Sequence, residues 1–119
     1  PVELIDLLSL DDDRFREKFR KTPLWRPRRR GILRNAAICL GNARDARAVE
    51  PLTQLLHDPE PLIRVATVWA LGQIGDASGI KAIANLANHE QDESVIHEIR
   101  LTLADSEPFS DRLLGTPQQ

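Results

Sequence analysis

The chain has 119 residues, of which 41% are hydrophobic and 29% charged, with a formal net charge of −2 at pH 7. This length supports one domain with its own core, and no apolar run reaches the roughly 18 residues that a membrane helix needs. The single cysteine, Cys39, excludes an internal disulfide, so a reducing cytoplasm is the expected compartment. Because Cys39 lies in the apolar string 36–40, we predict a buried, inert thiol.

The charge is strongly segregated along the chain. Residues 14–47 carry twelve Lys or Arg against Glu17 and Asp45, whereas residues 1–13 carry five acids and no base. Acids again outnumber bases over residues 48–119. A cationic block of this kind indicates a polyanionic partner for one part of the surface.

The first 26 residues are predicted to be a helical extension followed by a loop. A short apolar helix is expected over residues 2–10, and a second from Leu10 to about Arg20 with Ser9 as its cap. Phe15 and Phe19 are four residues apart, so we expect them to dock on the first repeat. The chain contains no Met and begins at Pro1, from which we expect a fragment of a larger protein.

An internal repeat follows the extension. Residues 34–45 align with residues 65–76 at an offset of 31, and residues 48–56 align with 79–87 at the same offset. Apolar residues recur at three- and four-residue spacing, which is typical of amphipathic helices. Each unit is predicted to be a helix, a tight turn and a helix. Three kinds of residue mark the ends of these helices: Gly41 and Gly72–Gly75 as stops, Asp45 and Asp76 as caps, and Pro61 in a first turn.

The predicted fold is therefore an all-α, short right-handed superhelix of stacked helix pairs. We divide it into a first repeat at 27–58, a second at 59–90, a partial third at 91–105 and a loose tail at 106–119. One helix pair cannot bury its apolar face alone, so neighbouring pairs must stack. The string 64–72 resembles HEAT-like repeats of the phycocyanobilin-lyase type.

Arginines crowd the start of the first repeat, in a cationic cluster that also includes Lys18, Arg20 and Lys21. On a helix starting near Pro27, one half of the circumference is apolar; the other half carries Arg28, Arg30, Gly31, Arg34 and Asn35. Arg29 falls nearer the apolar edge, and Arg26 precedes the helix. The planar guanidinium fork matches phosphate oxygens, and a helix start favours anions. This pattern predicts a nucleic-acid contact, although a solvated face or an acidic neighbouring domain would also account for it.

Two residues extend this prediction. Trp25 offers a ring on which a base could stack, with simple packing as the alternative, and Gly31 would let a backbone approach closely. Trp69 is expected to be a packing residue.

We expect no catalytic and no metal-binding residue, because His57, His89 and His97 have no metal-ligand spacing and no nucleophile lies in a recognisable setting.

One stretch resembles a known family. Its distinctive residues are Phe15, Phe19, Thr22-Pro23, Arg26, Arg29-Arg30-Gly31, Leu33-Arg34-Asn35 and Leu40-Gly41-Asn42. This pattern is similar to the C-terminal part of epoxyqueuosine reductase, and the similarity covers roughly residues 4–76. The resemblance implies a parent oxidoreductase that uses cobalamin and two 4Fe-4S clusters to reduce epoxyqueuosine to queuosine in tRNA. It implies tRNA contacts by Arg26, Arg29, Arg30, Arg34 and Asn35. The family's cluster cysteines are absent here, and Trp25 and Pro27 depart from its pattern.

The sequence therefore predicts a tRNA-binding module without cofactors or chemistry of its own. Its expected partners are the tRNA anticodon region and N-terminal catalytic domains of the same chain, with no membrane and no oligomer. The alternative is a HEAT-repeat scaffold for protein–protein interaction, whose groove would hold a partner helix. A third possibility, a chaperone of the lyase type for a chromophore, follows from the repeat resemblance alone.

Overall fold

The computed structural model describes residues 2–8, 17 and 25–106, with the side chains of residues 4–8, 17 and 26–104. The helices are α1 (Val2–Leu8), α2 (Trp25–Ala43), α3 (Val49–Leu55), α4 (Pro61–Ile74), α5 (Ala77–Ala87) and α6 (Glu93–Ser106), with a 3-10 turn at Ala46–Ala48. Every regular element of this part of the chain is helical, which confirms the predicted fold class. The expected helix over 10–20, the docking of Phe15 and Phe19, and the tail from 107 lie outside the described residues.

The first helices of successive pairs stack side by side. The largest helix contacts join α2 to α4 and α4 to α6, while α3 and α5 pack across the neighbouring pairs. α1 packs on α2 and α3. Among the described helices, none has the length and hydropathy to span a lipid bilayer.

The core is a continuous row of aliphatic side chains between the two helix layers. Its largest fully buried members come from α2 to α6 and the turn after α3: Leu33, Leu40, Leu52, Leu56, Ile63, Val68, Leu71, Ile83 and Val95. Burying each such side chain contributes about 1.5–3 kcal/mol. The amphipathic pattern of the sequence therefore becomes one shared core across the repeats.

Helix α2 does not end at Gly41, as the sequence suggested, but continues to Ala43. A Cβ at position 41 would lie 2.8 Å from the Ala70 Cα and 2.8 Å from a Trp69 ring carbon. Gly41 is thus a packing residue that lets α4 approach α2 closely. The helix ends in the left-handed conformation at Arg44 (φ 51°), the repeat equivalent of Gly75 (φ 76°).

The predicted caps are confirmed. The Asp45 carboxylate accepts a hydrogen bond from the Arg47 backbone N–H at 3.0 Å, and Asp76 accepts one from Ser78 N–H at 3.0 Å. Hydrogen bonds from the side chains of Arg47 and Ser78, respectively, hold the pKa of each carboxyl below its ordinary value. Pro61 opens α4 in its first turn.

Two predictions about α2 were wrong. The helix begins at Trp25, before Pro27, and Cys39 is exposed and not buried. The buried stripe of α2 comprises Leu33, Ala36, Ala37 and Leu40, which is narrower than the half circumference that the apolar residues suggested. Cys39 lies outside this buried stripe.

Candidate nucleic-acid interface

The first half of α2 carries the candidate contact residues. Arg26, Arg28, Arg34 and Asn35 are exposed, and Gly31 lies between them with no neighbouring atom of the described residues within 4 Å of where a Cβ would be. Gly31 is three residues from both Arg28 and Arg34, and residues at this spacing neighbour each other on a helix surface. We call Arg26, Arg28, Gly31, Arg34 and Asn35 the outward face.

Arg29 differs from these arginines because it is buried. Its side chain is 5% exposed, and its guanidinium pairs with the carboxylate of Asp58 in the loop before α4. Asp58 also accepts a hydrogen bond from the Glu60 backbone N–H at 2.9 Å. Removing one partner of a buried pair costs about 3–5 kcal/mol, since the other charge is left uncompensated. The position of Arg29 thus suits a role in joining α2 to the following loop.

Arg30 is intermediate between the two situations. Its Nε lies 3.1 Å from Glu60 Oε1, and its side chain remains 34% exposed. A half-exposed pair of this kind contributes little to stability because water screens it. The Arg30 charge is therefore partly neutralised within the chain but remains accessible to a ligand.

A pair at different repeat positions, partly buried, joins the corresponding helix and loop of the second repeat. Arg64 of α4 makes two hydrogen bonds of 2.9 Å to the Glu90 carboxylate in the loop before α6, which also accepts the Asp92 N–H at 3.0 Å. Burial raises the pKa of Glu90, but the bonds from Arg64 and Asp92 outweigh burial and hold the pKa below its ordinary value. The ion pairs of Arg29 and Arg64 therefore join a helix to a loop. The arginines of the outward face differ from them in being exposed.

The backbone of Trp25 forms the first turn of α2, and its side chain lies outside the described part of the structure. The predicted stacking by Trp25 stays a prediction. Asn35 is exposed next to Arg34, as the helical period predicts.

A groove that the sequence did not predict adjoins Arg34. It has a volume of about 290 Å³ and runs across α2, α4 and α6. Its lining consists of Arg34, Ile38, Leu62, Val65, Ala66, Trp69 and Glu98. No sequence signal marked Leu62 or Glu98, because the groove combines single residues from three helices; Trp69 was assigned to packing alone.

In residues 4–8, 17 and 26–104, no three His, Cys, Asp or Glu side chains lie together as a metal site. His57 and His89 line a second, polar hollow of about 390 Å³ beside Asp58 and Glu90. A 4Fe-4S cluster takes four cysteine thiolates, and the one cysteine of this sequence cannot supply them.

Comparison with known proteins agrees with this architecture. A family model described as HEAT repeats matches residues 29–104. Epoxyqueuosine reductase of Bacillus subtilis is 38% identical over 95 residues, which cover 78% of this chain and 24% of the relative. The enzyme of Listeria monocytogenes is 36% identical over 99 residues, covering 82% and 26%. The resemblance to this enzyme that residues 15–42 suggested is thereby confirmed.

Solved structures give the same result. A crystal structure of epoxyqueuosine reductase with an epoxyqueuosine-modified tRNA-Tyr stem loop superposes with a TM-score of 0.71 at 33% identity, covering 87% of this chain and 28% of that one. A selenomethionine-labelled epoxyqueuosine reductase gives 0.72 at 35% identity with the same coverage. The chain thus spans about a quarter of the length of the curated relatives it matches.

Proposed function

We propose that this chain, which belongs to the family of HEAT-repeat proteins, is a tRNA-binding region of an epoxyqueuosine reductase. The proposal is supported by its similarity to epoxyqueuosine reductases, one of which was crystallised with a tRNA stem loop. The observation that carries the proposal is the outward face of α2, on which Arg26, Arg28 and Arg34 remain exposed. A rigid helix stack that carries several exposed guanidinium groups along one helix suits a sugar-phosphate chain.

In this proposal the arginines divide into two roles. Arg26, Arg28 and Arg34 contact phosphates, Asn35 donates to the same strand, and Arg30 adds a contact when it turns from Glu60. Arg29 is a positioning residue, because its pair with Asp58 holds the first turns of α2 against the next repeat. Trp25 stays a candidate for base stacking.

The reaction belongs to other parts of such a reductase. We propose that this chain holds the anticodon region of tRNA while catalytic domains outside these 119 residues reduce epoxyqueuosine to queuosine. Cobalamin and the two 4Fe-4S clusters would be bound there, since this chain has no ligand set for a cluster. The chain therefore contributes affinity and orientation, and no chemistry.

Charge reversal at Arg34 tests the proposal. Arg34→Glu should weaken binding to a tRNA anticodon stem-loop by about tenfold or more at low salt, because a phosphate contact becomes a repulsion. The salt dependence of binding should become shallower by roughly one phosphate contact. Both quantities come from fluorescence-anisotropy titrations at several salt concentrations.

Lys81→Glu is the matched control. Lys81 is exposed on α5, so this substitution changes the net charge by the same amount away from α2. Its circular dichroism spectrum and that of Arg34→Glu should both match the native chain. Equal affinities of the two variants for the stem-loop would contradict a specific role for the outward face.

A protein-interaction scaffold is the second candidate, favoured by the exposure of Leu62 (51%) and Leu101 (49%). Large exposed apolar side chains are a feature of protein-binding surfaces. A pull-down of a defined partner that is unaffected by ribonuclease, together with no affinity for the stem-loop, would favour this candidate.

A further inference from the structure

The groove beside Arg34 has the form of a site for a flat, mostly apolar group. Ile38 of α2 and Leu62, Val65 and Trp69 of α4 supply its apolar lining, in a volume of about 290 Å³. The Trp69 ring is held close to α2 because Gly41 leaves room for it: a Cβ there would lie 2.8 Å from the ring. The groove therefore contains an aromatic ring whose position the helix packing determines.

Its two ends carry opposite charges. Arg34 lines the groove from α2 and belongs to the outward face, whereas Glu98 lines it from α6. Glu98 Oε2 accepts a hydrogen bond from the Thr102 hydroxyl at 3.2 Å, and Oε1 accepts none from the described residues. A ligand that fits both ends is anionic next to Arg34 and offers N–H donors to Glu98.

We propose that this groove holds one unstacked base of the RNA bound on α2. A nucleotide carries a phosphate for Arg34, a flat ring for the apolar walls and, in most bases, amino or imino groups that can donate to Glu98. Single-stranded RNA is commonly recognised by bases that leave the stack and lie on aromatic side chains. The inference rests on the proposed function, because Arg34 joins the groove to the phosphate-binding face.

The path of the strand follows from the helical period. Gly31, Arg34 and Ile38 are separated by three and four residues, so they form one row on α2. A backbone that passes over Gly31 reaches Arg34 next, and the adjacent base reaches the groove at Ile38. An acidic peptide helix suits this arrangement less well, since Glu98 would repel its carboxylates.

Abasic substitution combined with Leu62→Glu tests the inference. The probes are an anticodon stem-loop and the same RNA with an abasic nucleotide at each loop position in turn. For the native chain, one abasic position should weaken binding by about tenfold, as expected for a lost stacked base. For Leu62→Glu, parent RNA binding should already be weaker, and the same abasic position should change it by less than about twofold.

Leu101→Glu is the matched control, because Leu101 is equally exposed on α6 but does not line the groove. The Leu101→Glu variant should bind the parent RNA with the affinity of the native chain. The critical abasic substitution should weaken its binding as much as it weakens binding by the native chain. In a Trp25→Phe background, parent RNA should also quench the remaining Trp69 fluorescence, and the critical abasic RNA should not.

The outcomes separate the two proposals. The base site would be overturned if RNA binding depended on Arg34 but no abasic position weakened it. It would also be overturned if Leu62→Glu and Leu101→Glu bound the parent and abasic RNAs with equal affinities. Either result would leave the proposed function intact. If the native chain bound no stem-loop at all, the proposed function would fail and the base site with it.

Discussion

At the scale of single residues, the glycines within the helices differ in what occupies the space of a side chain. A Cβ would lie 2.8 Å from Ala70 at Gly41 and 3.0 Å from Leu71 at Gly79, and at Gly72 it would collide with the Thr102 side chain. At Gly31 no neighbouring atom in the described part of the chain lies within 4 Å of that position. Packing therefore accounts for the first three glycines, and a ligand on the outward face would account for Gly31.

Gly31→Ala should have opposite effects on folding and on binding. Alanine favours a helix interior over glycine by about 0.8–1 kcal/mol. Since no neighbour among the described residues opposes the new methyl group, the free energy of unfolding should rise by about that amount. Affinity for the stem-loop should fall severalfold if a strand passes close to this position. Urea denaturation and RNA titration measure the two effects.

Gly72→Ala provides the comparison, because its methyl group would meet the Thr102 side chain. We expect that variant to be less stable than the native chain. If Gly31→Ala bound RNA as tightly as the native chain, Gly31 would have no part in the contact.

At the scale of helices, the two repeats end their first helices with different residues in the same conformation. Arg44 (φ 51°) terminates α2, and Gly75 (φ 76°) terminates α4 with its N–H bonded to Leu71 O at 2.9 Å. The left-handed conformation disfavours residues that have a Cβ. The end of α2 is therefore strained where the end of α4 is not.

Arg44→Gly should consequently stabilise the chain, by about 1 kcal/mol after the greater freedom of glycine in the unfolded state is deducted. Gly75→Arg should destabilise it by a similar amount. Thermal and urea unfolding followed by circular dichroism will compare the two. A lower stability of Arg44→Gly would show that the Arg44 side chain contributes more than its backbone conformation costs.

At the scale of the whole molecule, an ion pair joins a first helix to the following loop in each repeat; one pair is buried and the other is partly buried. Arg29 pairs with Asp58, and Arg64 pairs with Glu90. The folded state lowers the pKa of Glu90, so the folded chain binds a proton there less readily than the unfolded chain does. The pair stabilises the fold above the unfolded pKa, and this contribution is lost as pH falls through the lower, folded value.

Stability should therefore decline as the pH falls below about 4.5, the ordinary pKa of a glutamate. Glu90→Gln should be less stable than the native chain at pH 7, and the difference should shrink toward pH 3. Urea denaturation at several pH values measures this difference. Glu93→Gln, which alters an exposed glutamate of α6, should change the pH profile less; equal profiles for the two variants would rule out the Arg64 pair as the cause.

The sequence by itself determined the helical fold, the stacking of repeated pairs, the caps at Asp45 and Asp76, and the segregation of charge. These features depend on side-chain periodicity and on hydrogen bonds between residues only a few positions apart. Composition and local pattern are sufficient to establish such features, and the family resemblance agreed with them.

The tertiary structure alone decided which arginines are exposed to solvent and that Cys39 is exposed as well. It also decided that Gly41 allows close helix packing and that a groove adjoins Arg34. Each depends on a partner far away in the chain: Asp58 is 29 residues from Arg29, and the groove joins α2 to Glu98 of α6. Helical period tells which residues share a face, but the packing of neighbouring helices determines which of those faces water or a ligand can reach.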